Sequence, residues 1–178
     1  MKYLIVSDIH GSKFYAEKLL KIIDKEKPDK VINLGDFYYH GPRNPLPEDY
    51  NPMEVSKIFN GLKDKLIAIK GNCDAEVDEM ISEFKFKNSY SFSVSGKKIF
   101  ASHGQKYNTD NFPNQNFYIM LYGHFHTGFI KQENNKIFAN PGSLSLPKNN
   151  TPRSYLVINN HEIILKDIKN NIIQKLVF

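Results

Sequence analysis

Apolar residues recur along the chain in short runs of strand length: Tyr3 to Val6, Val31 to Leu34, Leu66 to Ile69, Ile99 to Ala101 and Phe117 to Tyr122. Such runs, bounded by polar and turn-forming residues, predict buried β-strands. Between the early runs the spacing changes. Residues 12–27 place Phe14, Ala16, Leu19, Leu20, Ile22 and Ile23 three and four apart, behind Ser12 as an N-cap and ahead of Pro28, which predicts a helix. A second helix is expected from Asn51-Pro52 to about Gly61, and a third, shorter one after Asp74. Beyond residue 88 the texture becomes strand and turn, with breaks at Ser95-Gly96, Glu133 to Lys136, Asn159-Asn160 and Asn170-Asn171.

The order is therefore βαβαβα followed by mostly β. It predicts a largely parallel sheet in front and hairpins behind, packed as two sheets with outer helices, an α/β architecture that is α+β by element order. No repeat or linker interrupts it, so one domain over residues 1–178 is expected. The stretch from Phe37 to Pro52, with prolines at 42, 45, 47 and 52, predicts a long irregular loop, a common place for function.

Composition adds little beyond compartment and partner sign. A single cysteine, Cys73, excludes an intrachain disulfide and fits a reducing cytoplasm. The apolar N-terminal run is broken by Asp8, which reads as a first strand and excludes a signal peptide or membrane span there. A formal charge of +5 favours anionic partners, nucleic acid among them, but Lys and Arg are scattered and do not point to it.

The chemistry lies at the ends of the strand-like runs. Asp8 and His10 follow the first, two apart and on one side if the extended conformation persists. Gly35-Asp36 follows the second, Gly71-Asn72-Cys73-Asp74 the third, and His103 the fourth; Gly123-His124-Phe125-His126 follows the fifth. Taken singly, each has an ordinary explanation as a strand end, a turn, a helix N-cap or a lone surface histidine. Taken together, Asp8, His10, Asp36, Asn72, His103, His124 and His126 are seven ligand-type residues, including four of the six histidines, at the C-terminal ends of strands. In α/β sheets that edge is where ligands bind, and a converging set of this kind predicts clustered transition-metal sites.

In order and spacing the series resembles the calcineurin-like metallophosphoesterase superfamily. Residues 40–52 (HGPRNPLPEDYNP), 71–78 (GNCDAEVD) and 140–148 (NPGSLSLPK) resemble its small bacterial YfcE-type phosphodiesterases. The resemblance implies a four-layer αββα sandwich of two mixed sheets. It also implies two divalent ions, Mn²⁺ first, with Zn²⁺, Fe²⁺ or Ni²⁺ also suited to such ligands. Asp8, His10, Asp36 and His126 would hold one ion and Asp36, Asn72, His103 and His124 the other, with Asp36 bridging. Asp36 and Asn72 would then share the chemistry with a metal-bridging hydroxide attacking a small phosphodiester.

Many members of the superfamily carry His directly after the Asn, whereas this chain has Cys73, a poor general acid. His40, Arg43, Cys73 and Asp74 are candidates to meet substrate, with an ion pair to Glu48 or Asp49 as the alternative for Arg43. Asn140, Gly142 and Ser143 are expected as a tight turn supporting the ligands. A nuclease, a protein phosphatase and a non-catalytic metal-binding scaffold of the same fold are the alternatives. By resemblance the chain is expected as a homodimer or homotetramer, and no sequence feature identifies an interface.

Overall fold

The computed structural model describes residues 1–178. Its elements in chain order are β1 (Lys2–Val6), α1 (Lys13–Glu26), β2 (Lys30–Asn33), α2 (Pro52–Asn60), β3 (Leu66–Ile69), β4 (Phe86–Lys87), β5 (Ser89–Val94), β6 (Lys97–Ser102), β7 (Ile119–Tyr122), β8 (Gly128–Glu133), β9 (Lys136–Pro141), β10 (Ser154–Asn159), β11 (Glu162–Asp167) and β12 (Ile172–Val177). Both helices start as the sequence predicts. The Ser12 side chain accepts from Tyr15 N–H at 3.3 Å and Asn51 from Glu54 N–H at 3.2 Å, with Pro52 in the first turn. The third expected helix is a single 3₁₀ turn, Glu76–Met80, with no buried residue to hold a longer one.

The first sheet has the order β12-β11-β10-β1-β2-β3-β4, and the second β5-β6-β7-β9-β8. The division into a front sheet and later hairpins is corrected in one respect. The hairpin strands β10 to β12 return to the first sheet, β10 pairing antiparallel with β1, so that sheet is mixed. Alternation on β1 explains the layering. Leu4 and Val6 pack with Leu19, Ile23 and Phe59 under the two helices, while Tyr3 and Ile5 pack between the sheets with Ile99, Ile119 and Ile137. Leu4 and Ile5 are fully buried, and truncating either to Ala would cost about 2–5 kcal/mol. The outer face of the second sheet, Phe100, Met120, Tyr122 and Phe138, is covered by the irregular segment 103–118 in place of a helix.

This topology sets the position of the site. Strands β1, β2 and β3 run parallel, as do β6 and β7, and their registers align Val6 with Asn33, Asn33 with Ala68, and Ser102 with Tyr122. The residues that follow each strand therefore emerge at one edge of the sandwich.

Candidate metal centre

At that edge the backbone does not stay extended. Asp8, His10, Asp36, His124 and His126 all have left-handed φ, between +52° and +66°. Asp-x-His and His-x-His thus face one centre through left-handed turns, not through strand alternation as the sequence reading assumed. The turns pack closely. A Cβ on Gly35 would lie 2.6 Å from Gly71 N, and one on Gly71 would lie 2.1 Å from Asp36 Oδ1. Only glycine lets these two loops meet.

The side chains converge as two linked sets. Asp8 Oδ1 is buried with no hydrogen-bond donor and lies 3.3 Å from His126 Nε2 and 3.6 Å from His10 Nε2. Asp36 Oδ2 lies 3.6 Å from His10 Nε2 and 3.3 Å from His103 Nε2, between the two sets. His103 Nε2 is also 3.0 Å from Asn72 Oδ1. His124 turns its half-buried ring into the cleft, 5.1 Å from that of His103, while its N–H donates to Asp8 Oδ2 at 3.0 Å. The structure thus brings all seven candidates together.

The donor chemistry fits cations. The Nδ1 atoms of His10, His103 and His126 contact the carbonyls of Tyr39, Leu34 and Leu146 at 2.8, 2.9 and 2.6 Å. A carbonyl only accepts, so each Nδ1 carries a proton and each Nε2 is the ring atom turned to the centre, able to ligate a cation once any proton on it is displaced. Ligands about 2.1 Å from one ion lie roughly 3.0–3.4 Å apart, which matches these separations. Ligand atoms of Asp8, His10 and His126, and of Asp8, Asp36 and His103, lie within 4.8 Å of one another in each set.

In the ion-free protein, protons take the place of cations. Burial works to lower the His103 imidazolium pKa, but the hydrogen bond to Asp36 and the charges of Asp8 and Asp36 outweigh it and push it up to about 9. Burial likewise opposes the charges on Asp8 and Asp36. The imidazoles around them win, and both carboxyls are held below their usual range. His124 shifts down through burial and the His103 charge.

The supporting residues are well defined. Ser143 Oγ and Ser145 Oγ both donate to the Asp8 carbonyl, at 2.6 and 2.9 Å. Asn140 donates to Gly123 O at 2.8 Å and accepts from Gly142 N–H at 2.8 Å, with Gly142 itself at φ +75°. Asp74 is turned inward, away from any substrate. Its carboxylate accepts from the N–H groups of Asp36, Phe37 and Gly71 at 2.8, 2.7 and 2.7 Å, and burial together with the Asp36 charge raises its pKa to about 6. Asp74 positions Asp36 and does not line the cleft.

The cleft over this centre encloses about 750 Å³. Arg43 and Cys73 line it, as the sequence reading expects, whereas His40 packs its ring against Tyr39 and Tyr50 outside that lining. Arg43 forms no ion pair. Glu48 accepts from Tyr15 OH at 3.2 Å and Asp49 faces Lys13 at 3.9 Å, so the alternative partners are engaged elsewhere. Sequence reasoning missed Tyr39, Phe125 and Lys148, which also line the cleft. Phe125 had a signal, as the residue between the two histidines of one turn; Tyr39 lies in the proline-rich loop and Lys148 ends the 140–148 segment, but neither residue type marks a ligand.

Comparison with known proteins agrees with this geometry. Residues 1–162 match the model of the calcineurin-like phosphoesterase superfamily domain. The chain is 38% identical over 163 residues to phosphodiesterase YfcE of Escherichia coli (strain K12), covering 90% of this chain and 88% of that protein. The solved structure of that E. coli phosphoesterase superposes with a TM-score of 0.95 at 34% identity over 99% of both chains. Vacuolar protein sorting 29 from Cryptosporidium parvum, at 16% identity and a TM-score of 0.68 over 99% of this chain and 98% of that one, shares the fold alone.

Proposed function

The chain belongs to the calcineurin-like phosphoesterase superfamily and is a phosphoric ester hydrolase, and we propose that it uses two divalent ions to hydrolyse small phosphodiesters. The observation that carries this reading is the position of Asp36 Oδ2 between His10 and His103, at 3.6 and 3.3 Å. Asp8, His10 and His126 would complete one ion's shell, and Asn72, His103 and His124 the other, with Asp36 common to both. A carboxylate can be shared in this way, whereas neutral imidazole and amide cannot. When bound, the ions supply Lewis acidity toward the phosphoryl oxygens and bring the pKa of coordinated water near neutrality. Mn²⁺ is the first choice by family resemblance, while Zn²⁺, Fe²⁺ and Ni²⁺ suit this mixed oxygen and nitrogen set as well.

The remaining roles belong to the chain itself. Arg43 and Lys148 are the lysine and arginine side chains of the cleft wall and would attract and orient the anionic diester. Two such cations suit a small ester better than a polymer, which needs a basic track along its length. Cys73 offers a thiol where many members of the superfamily carry an imidazole, and a thiol is a poor general acid; without ions, burial and then the Asp36 charge push it up to about 12. Asn140, Ser143 and Ser145 hold the Asp8 turn, and Asp74 the Asp36 turn. A reducing cytoplasm and one catalytic domain over residues 1–178 complete the reading.

The test combines metal analysis with turnover of bis(p-nitrophenyl) phosphate. Two ions per chain and loss of hydrolysis on chelation, restored by Mn²⁺, are expected. One ion per chain at full activity would overturn the dinuclear assignment.

A further inference from the structure

A second cavity of about 300 Å³ opens beside the metal cleft, walled by Tyr38, Tyr39, Tyr50, Pro52, Val77 and Asp78. It shares Tyr39, Cys73 and Ala75 with the cleft, so the two spaces adjoin. Two of its polar groups are engaged: Tyr38 OH pairs with Ser82 Oγ at 2.8 Å, and Asp78 Oδ2 accepts from Ala75 N–H at 2.8 Å. Most of what faces the space is aromatic ring and aliphatic carbon. Tyr39 and Val77 are 44% and 63% exposed, so this apolar surface stands open to water beside a highly polar centre. Arg43 and Lys148 line the cleft and not this slot. The two arms of a diester bound at the centre would therefore meet unlike surroundings, one cationic and one apolar.

We infer that the slot between Tyr39, Tyr50 and Val77 receives one ester arm of the substrate, a compact apolar or aromatic group about one ring in size. The inference deepens the phosphodiesterase reading and rests on it for the position of the phosphate. The size is sufficient, since an apolar cavity of about 150 Å³ already accepts benzene.

The test titrates the Mn²⁺-loaded full chain calorimetrically with phenylphosphonate and methylphosphonate, which share a head group and are not hydrolysed. Phenylphosphonate should bind about tenfold more tightly, as expected for burying much of one ring. Val77→Asn and Tyr39→Ser, neutral changes that leave the Tyr39 carbonyl on His10 in place, should reduce the ratio to about twofold. Phe125→Ser, which alters the cleft wall outside the slot, should preserve it. A wild-type ratio below about twofold, no binding of either phosphonate, a ratio unchanged in both slot variants, or loss in the Phe125 variant alone would each overturn the inference. Bis(p-nitrophenyl) phosphate is assayed in parallel. Hydrolysis without a phenyl preference removes the slot alone, while a phenyl preference without hydrolysis supports the slot and removes the phosphodiesterase reading.

Discussion

The Nε2 atoms of His10 and His126 lie 3.1 Å apart, although each ring has its Nδ1 directed at a main-chain carbonyl. Two bare lone pairs cannot face each other at that distance in a buried site without a proton or a cation to share. Divalent ions should therefore stabilise the fold strongly. At roughly 100 times the dissociation constant one ion adds about 2.7 kcal/mol, which in a chain of this size raises Tm by about 5–10 °C. The gain should grow with pH. A histidine whose folded pKa is raised contributes stability that is full below its ordinary value of 6.5 and is lost as pH climbs through about 9, here for His103. The ion-free protein should thus weaken from pH 6.5 to 8.5 while the Mn²⁺ form does not. Scanning calorimetry with chelator and with Mn²⁺ at both pH values measures this, and a shift under about 1 °C at each would contradict it.

Asp36→Asn should remove more activity than any other single ligand change. Altering a residue that merely supports a metal ligand typically costs 10–100-fold, so replacing the shared carboxylate should exceed roughly 10²-fold and deplete both ions. His124→Ala should lower the content of one. Metal stoichiometry and turnover measured together decide it; two retained ions with near wild-type rate would rule out a bridging Asp36.

Cys73 lines the cleft where many members of the superfamily carry histidine, and a thiol is a poor general acid, so departure of the leaving group should go unassisted by it. Aryl diesters should be cleaved much faster than alkyl diesters, and Cys73→Ser should change the aryl rate less than about threefold. Cys73→His should raise rates for basic leaving groups by about 10²-fold, the low end for a placed general acid, and help good ones less. A Brønsted series of diesters supplies the comparison. A wild-type slope near zero with chemistry rate-limiting would show the leaving oxygen already assisted by another group.

Away from the site, Glu26 closes a buried ion cluster. It accepts from Lys2 Nζ at 2.6 Å, Lys166 Nζ at 2.7 Å and Tyr155 OH at 3.1 Å. Burial opposes its charge, but the two ammonium groups prevail and lower its pKa. A depressed carboxyl contributes stability that is complete above its ordinary value of 4.5 and is lost as pH falls through the folded value. Glu26→Gln should therefore cost about 2 kcal/mol at pH 7, less than the roughly 3–5 kcal/mol of a fully buried broken pair because Lys2 is partly exposed. The gap between the two proteins should narrow from pH 5 to pH 3. Urea titrations across that range test the sign, and a gap that widens toward pH 3 would refute it.

How much of this was legible in the sequence follows from the range of the forces involved. Ser12 and Asn51 mark their helices because capping is local, and the ligand set is readable because Asp, Asn and His follow apolar runs that can only be strands. The return of β10 to β1 is not written locally; it depends on Tyr3 pairing with Ile158 across most of the chain. Left-handed turns at Asp8 and His126 were hidden, since neither residue requires that conformation. Tyr39 and Lys148 were missed for another reason: their types carry no ligand signal, and only the folded loop brings them to the cleft.

The left-handed backbone at Asp8, His10, Asp36, His124 and His126 also bears on how such a chain can change over generations. An L-residue held there costs on the order of 1 kcal/mol relative to glycine, and Asp and His relieve only part of it. A descendant released from hydrolysis would relieve this strain most cheaply at half-buried His124 by drifting to glycine or asparagine, whereas at Asp8 and Asp36 a drift to glycine would orphan the His124 and Cys73 N–H groups their carboxylates accept from. Decay of the centre would thus begin at the rim, at His124, while the buried carboxylates stay held by the backbone they support.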